Sequence, residues 1–162
     1  MVSAYAPVSG KGAEPEKERE RFWKQLGQVS SRAPRECRLI VGGDMNAEVG
    51  AAKDNEFREV MGGNGTRKRT DTGKNSIDFC TEAGMLIAGT FFKQKERATW
   101  WHLRYGSAHE LDHFLIRQSD RWYLEGCKTL HFGRTLAGKA TRKKRRIEPP
   151  KVQRPDGVIA WS

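Results

Sequence analysis

Cysteine is scarce in this sequence, and its three copies, Cys37, Cys80 and Cys127, are odd in number and widely spaced. Neither a disulfide framework nor a zinc motif follows from such spacing. Cys37 and Cys80 stand among apolar residues, so both are expected to pack in the core. Long apolar runs are missing too: no stretch is long enough to span a bilayer, and there is no signal-peptide h-region. The expectation is an intracellular, reducing setting with no membrane partner. Hydrophobic residues supply only 36% of the 162 positions while 31% are charged, which is low and high respectively for a compact domain. Acids are short in one segment above all. Residues 134–154 hold nine basic side chains against the single acid Glu148, so this segment carries +8 of the net +10. A block of one sign reads as a solvated arm with a polyanion partner. Its densest part, Lys143, Lys144, Arg145 and Arg146, also matches a nuclear-import signal.

What is present begins with Arg38-Leu39-Ile40-Val41-Gly42-Gly43-Asp44-Met45-Asn46-Ala47. A short apolar run bounded by glycine predicts a buried strand. Asp44 and Asn46, two residues apart at its end, would then project into one small volume. A carboxylate there can take a proton from water or hold a metal, and an amide can donate to a phosphoryl oxygen. On local pattern alone the same Gly-Gly-Asp-Met-Asn reads first as a surface turn. Upstream, Val2-Ser3-Ala4-Tyr5-Ala6-Pro7 predicts a strand cut off by proline. Glu14-Pro15-Glu16 then opens a helix with an apolar stripe of Phe22, Leu26 and Val29, with Trp23 alongside.

Residues 50–74 are polar and glycine-rich and predict a loop. Asn75-Ser76 is positioned to cap a second helix that presents Ile77, Phe79-Cys80 and Ala83 and ends at Gly84. Strands are expected at Met85–Ala88, Thr90–Phe92, Ala98–Trp101, Leu111–Ile116 and Trp122–Leu130. His113 alternates to the opposite face from Asp112 and reads as structural, whereas His102 and His109 sit in loop-like sequence and read as solvated. From Gly133 the apolar period vanishes, so a basic, disordered tail is expected over 133–162, after a domain over 1–132.

The ordered set Tyr5-Ala6-Pro7, Phe22-Trp23, Gly43-Asp44-Met45-Asn46-Ala47, Asp78-Phe79-Cys80, Thr90-Phe91-Phe92, Thr99-Trp100 and Leu111-Asp112-His113 resembles the C-terminal half of the endonuclease/exonuclease/phosphatase superfamily. Within it, residues 2–130 look most like the endonucleases of non-LTR retrotransposons and craniofacial development protein 2-like proteins. The resemblance implies an α+β fold, a four-layer α/β sandwich, and magnesium-dependent cleavage of phosphodiester bonds in nucleic acid, DNA in particular. It implies that Asp44 orients or deprotonates the attacking water and has an indirect role toward Mg2+. Asn46 would donate to the phosphoryl oxygens, Tyr5 would hydrogen-bond the phosphate, and Asp112 would hold a catalytic histidine. Thr99 and Trp100 would lie on the nucleic-acid side of the cleft, and Lys143, Lys144, Arg145 and Arg146 would reach the same polyanion.

Two departures shape the expectation. In the family, the magnesium-holding glutamate lies on strands before the Tyr-x-Pro strand, where this chain starts, so a partial fold lacking the N-terminal lobe is expected. The family's closing Ser-Asp-His segment is replaced by Cys127-Lys128-Thr129-Leu130-His131-Phe132-Gly133, in which His131 reads as a sheet residue. Half of a sandwich would expose an apolar face and an unpaired edge, and so pair with a missing half or self-associate. The expected function is a retrotransposon-type, magnesium-dependent phosphodiesterase, truncated and impaired in catalysis. The alternative is a non-catalytic nucleic-acid-binding or interaction module that uses the basic tail.

Overall fold

A computed structural model describes residues 1–8, 10, 13–53, 56–66, 68–102 and 104–130, and the backbone of 158–160. Strand β1 (Val2–Tyr5) leads through helix α1 (Ala13–Arg32) into β2 (Ile40–Asp44), which lies parallel to β1 with Tyr5 opposite Asp44. Helix α1 carries Glu14 and Glu16 in its first turn and Arg32 in its last, each complementing the local end of the helix dipole. Of the apolar stripe, Leu26 is buried, Phe22 and Trp23 pack against the core, and Val29 stays exposed.

Helix α2 (Asp71–Glu82) is capped by Thr70, whose hydroxyl accepts from Gly73 N at 3.1 Å. The expected Asn75-Ser76 cap is therefore displaced by five residues. Ser76 instead lies buried inside the helix and donates to Thr72 O, because a hydroxyl in helical backbone bonds back to the preceding turn. Gly84 follows the helix at φ 61°, a left-handed position that glycine adopts without strain. Strand β3 (Met85–Ile87) then pairs antiparallel with β6 (Asp112–Arg117), which pairs antiparallel with β2. The sheet order is β1-β2-β6-β3.

Both faces of this sheet are clothed along β6 and β3. On one, Val41, Met45, Ile87 and Leu115 pack with Leu26 of α1 and Ile77 and Cys80 of α2, and the Trp23 and Phe79 rings of the two helices meet at 5.1 Å. The other carries Leu86, Phe114, Ile116 and Cys127, with Phe91, Phe92 and Leu124 against them. This corrects the expectation of a bare apolar face: beside β1 the open part of the second face presents Ser3 and Tyr5. The covering comes from segments expected to be strands. Ala88–Phe91 is a 3-10 turn, because the Thr90 hydroxyl donates to Ile87 O at 2.6 Å and accepts from Gly62 N at 2.8 Å. Gln118–Tyr123 is a second 3-10 turn, ahead of the short strand β7 (Gly126–Lys128). Only Trp100–Trp101 of the Ala98–Trp101 segment is strand (β4), hairpinned with β5 (Ala108–His109).

Cys37 is exposed rather than packed, in the turn between α1 and β2, while Cys80 and Cys127 are buried. The expected disordered tail is corrected at its end. Val158–Ala160, an apolar tripeptide with β-branched Val158 and Ile159 beyond the basic run, forms β8 parallel to β7. Residues 131–157, with His131, Lys143, Lys144, Arg145 and Arg146, lie outside the described residues.

Candidate active site

The rim lies where β1 and β2 end and β6 begins. Parallel pairing sets Tyr5 opposite Asp44, and antiparallel pairing sets Asp44 opposite Asp112. Three side chains from distant parts of the sequence therefore form one row. Side chains at opposed register positions share a face, and the carboxyl ends of strands in an open α/β sheet are where ligands bind. Tyr5 is 70% exposed, and its hydroxyl has no hydrogen-bond partner among the described residues.

Beyond β2 the backbone turns sharply, because Asn46 N donates to Asp44 Oδ1 at 2.8 Å and Asn46 sits at φ 45°. Asparagine tolerates that left-handed conformation better than most side chains. The Asn46 amide reaches back to β1, its Nδ2 donating to Ala6 O at 2.7 Å. One of its two amide hydrogens is thereby committed and the other is available to a ligand oxygen. From below, Thr72 Oγ1 donates to Asn46 O at 2.9 Å, which ties the corner to the start of α2. The sequence reading missed this tie. Its signal was Thr70-Asp71-Thr72, which has the composition of a helix cap.

Asp44 is held above the ordinary carboxylate range. Burial is the main cause, and the neighbouring Asp112 carboxylate adds to it. The Asn46 N–H and, more weakly, His113 oppose the shift. Asp112 is exposed, and its carboxylate accepts no hydrogen bond from the described residues. Its backbone N–H, with that of Leu111, donates to Thr99 Oγ1 at 3.1 and 3.0 Å, so Thr99 fixes the start of β6. Trp100, next to it, is 43% exposed, and Trp101 is half-buried.

The three histidines among the described residues fall into different environments. His113 points away from Asp112 and is buried, with Nε2 donating to Ala47 O at 2.7 Å, as its alternation predicts. His102 Nδ1 accepts from Arg104 N and Tyr105 N and closes the hairpin loop. His109 packs on Trp100 and lies 3.3 Å from buried Glu48. The solvated reading of these two is corrected: the β4–β5 hairpin folds them onto neighbours that local sequence does not reveal. Sequence reasoning also missed Arg97 and Glu110, a bidentate pair behind the rim.

No family model matches the chain. It is 30% identical over 111 residues to craniofacial development protein 2 of Tragulus javanicus, an alignment covering 67% of this chain and 19% of that protein. With craniofacial development protein 2 of Bos taurus it is 28% identical over 131 residues, 80% of this chain and 21% of the relative. Among solved structures it superposes on a 3'-5' exonuclease, NExo, from Neisseria meningitidis with a TM-score of 0.54 at 14% identity. The chain has an endonuclease/exonuclease/phosphatase-like fold. A second likeness, at TM-score 0.53 and 15% identity, is to the 3' phosphatase NExo from Neisseria bound to a product DNA hairpin. Each superposition covers 76% of this chain and 50% of the solved one. The chain thus carries the endonuclease/exonuclease/phosphatase fold over half the length of these structures, and spans about a fifth of its curated relatives. Its mixed helices and sheets are the α+β class that the sequence predicts.

The raised Asp44 pKa has a consequence for stability. A carboxyl whose folded pKa lies above the unfolded value of 3.8 binds its proton more tightly in the native state. Stability therefore falls as pH rises from that value through the raised one. Asp44→Asn removes this contribution and keeps an oxygen to accept from Asn46 N. Thermal melts at successive pH values are expected to show the variant losing less stability than the wild type across that interval. An unchanged slope would show that Asp44 is not strained by its surroundings.

Proposed function

We propose that the rim serves phosphodiester hydrolysis in nucleic acid, of the magnesium-assisted, retrotransposon-endonuclease type, and that this chain by itself performs it slowly. The observation that carries the reading is the single row of Tyr5, Asp44 and Asp112, with Asn46 folded over its middle. Asp44, with one oxygen bonded to Asn46 N, has its other oxygen for orienting a water or taking its proton. The uncommitted Asn46 amide hydrogen and the Tyr5 hydroxyl donate to the phosphoryl oxygens, where negative charge grows during attack. Thr99 holds the backbone from which Asp112 projects, and the exposed Trp100 ring offers a face on which a base can stack.

The donor set fits magnesium only in part. Mg2+ uses one or two carboxylates together with substrate phosphate and several waters. Asp44 and Asp112 meet that minimum, yet no group of three metal-binding side chains occurs among the described residues. So sparse a cradle supports slow catalysis.

A second reading, a non-catalytic nucleic-acid-binding module, is favoured by the +8 segment at 134–154, whose Lys143–Arg146 run also suits nuclear import. The two separate in one set of experiments. Supercoiled plasmid with Mg2+ is expected to be nicked slowly by the wild type and at least ~100-fold more slowly by Asp44→Ala. Nicking that survives Asp44→Ala refutes the first reading. Intact plasmid, with DNA affinity that drops steeply as salt rises, establishes the second.

A further inference from the structure

Beside the rim, meeting it at the Trp100 ring but sharing none of its polar side chains, the β4–β5 hairpin aligns three groups of different chemistry. Ser107 is exposed, and its Oγ lies 3.0 Å from His109 Nε2. Across the ring, His109 Nδ1 lies 3.3 Å from Oε1 of Glu48, whose side chain is only 7% exposed. Glu48 is fixed at its backbone, with its N–H donating to Thr70 Oγ1 and its C=O accepting from Thr70 N. The imidazole is steadied by the Trp100 ring, 5.5 Å away between centroids. Ser107 stands just ahead of β5, two residues before His109, and its hydroxyl meets the ring.

An ionised carboxylate only accepts, so the ring hydrogen belongs on Nδ1, toward Glu48. That leaves the lone pair of Nε2 facing the Ser107 hydroxyl. Nucleophile, base and base-orienting carboxylate are recognised by such roles and geometry rather than by their order in the chain. The 3.3 Å approach is longer than a tight hydrogen bond, as catalytic contacts often are before a ligand closes them.

We propose that Ser107 is an activated nucleophile that accepts phosphonyl or acyl groups from electrophilic esters and fluorides, with His109 as its base and Glu48 as the positioning residue. With a fluorophosphonate the step balances. The Ser107 Oγ–P bond forms, the P–F bond breaks, fluoride leaves with the bonding pair, and the hydroxyl proton passes to His109 Nε2. The resulting imidazolium is stabilised by the Glu48 carboxylate.

The test is incubation of the full chain with an alkyl fluorophosphonate, followed by intact mass measurement and peptide mapping. One label per chain at Ser107 is expected, absent in Ser107→Ala and formed at the wild-type rate in Ser119→Ala, an exposed serine with no partner among the described residues. His109→Gln is expected to slow labelling at least ~100-fold, and Glu48→Gln about tenfold or more. Ring 15N spectra are expected to place the His109 proton on Nδ1 in the wild type and to lose that preference in Glu48→Gln. A purely structural hairpin staple would show neither effect. Circular dichroism separates loss of fold from loss of reactivity in each variant. The proposal is overturned if wild-type Ser107 labels no faster than other serines, if folded His109→Gln labels at the wild-type rate, or if the proton sits on Nε2.

Discussion

Gly43→Ala is expected to cost about 4 kcal/mol, adding backbone strain to forced overpacking, and to lower the melting temperature by roughly 10 °C or more. Gly43 sits at φ 150°, and a Cβ there would lie 1.9 Å from Ala4 O on the paired strand. That neighbour is backbone and cannot step aside. Relief requires β1 to part from β2, which pulls Tyr5 from Asp44 and breaks the Asn46 reach to Ala6 O. The variant should therefore lose stability and the rim together. Calorimetry with an amide-exchange measurement at Ala6, whose N–H donates to Asp44 O at 2.8 Å, checks both. A Gly43→Ala protein that melts within ~2 °C of the wild type would show that β1 is held by something other than this close approach.

Arg97→Met is expected to be about as damaging, at ~3–5 kcal/mol, because it strands a buried charge. The Arg97 guanidinium meets Glu110 through two hydrogen bonds of 2.7 and 3.0 Å, and the paired side chains are 11% and 6% exposed. It also donates to Gly89 O and Phe92 O, satisfying one carbonyl within and one just after the 3-10 turn that covers the sheet. Methionine retains much of the packing volume and none of these donors. The paired replacement Arg97→Met/Glu110→Met should recover much of the loss, since a buried ion pair exchanged as a unit for apolar groups is often near neutral. A double-mutant cycle by denaturant unfolding measures this. Equal losses for the single and double variants would mean that the two carbonyls, not the charge pair, dominate.

Much of the frame was legible in the sequence for a local reason. A strand alternates every second residue and a helix returns about every third or fourth. Ile40–Asp44, Leu26 and the Ile77/Cys80 face therefore announced themselves within a few positions, and so did the separation of His113 from Asp112. Where the reading failed, a hydroxyl or a distant partner intervened. Thr90 has strand-like neighbours in sequence, but its side chain captures Ile87 O and Gly62 N and curls the backbone. The α2 cap was assigned to Asn75-Ser76, while Thr70 had both the hydroxyl and the extended backbone to do it. Cys37 precedes the apolar run Leu39–Val41 by two residues, yet it lies exposed in a turn, between Glu36 and Arg38.

At the rim the division is sharper. The sequence alone determined that a carboxylate and an amide, Asp44 and Asn46, leave a buried strand two residues apart after a pair of glycines. Only the tertiary structure decided that the amide bends back to Ala6 O, committing one of its donors. The same holds for Asp112, brought beside Asp44 by antiparallel register, and for Glu48, to which a hairpin brings His109 and Ser107. Periodicity is a property of neighbouring residues, set by backbone geometry. Register and the choice among hydrogen-bond partners are settled by which distant strands pair and by what burial then forces each polar group to find.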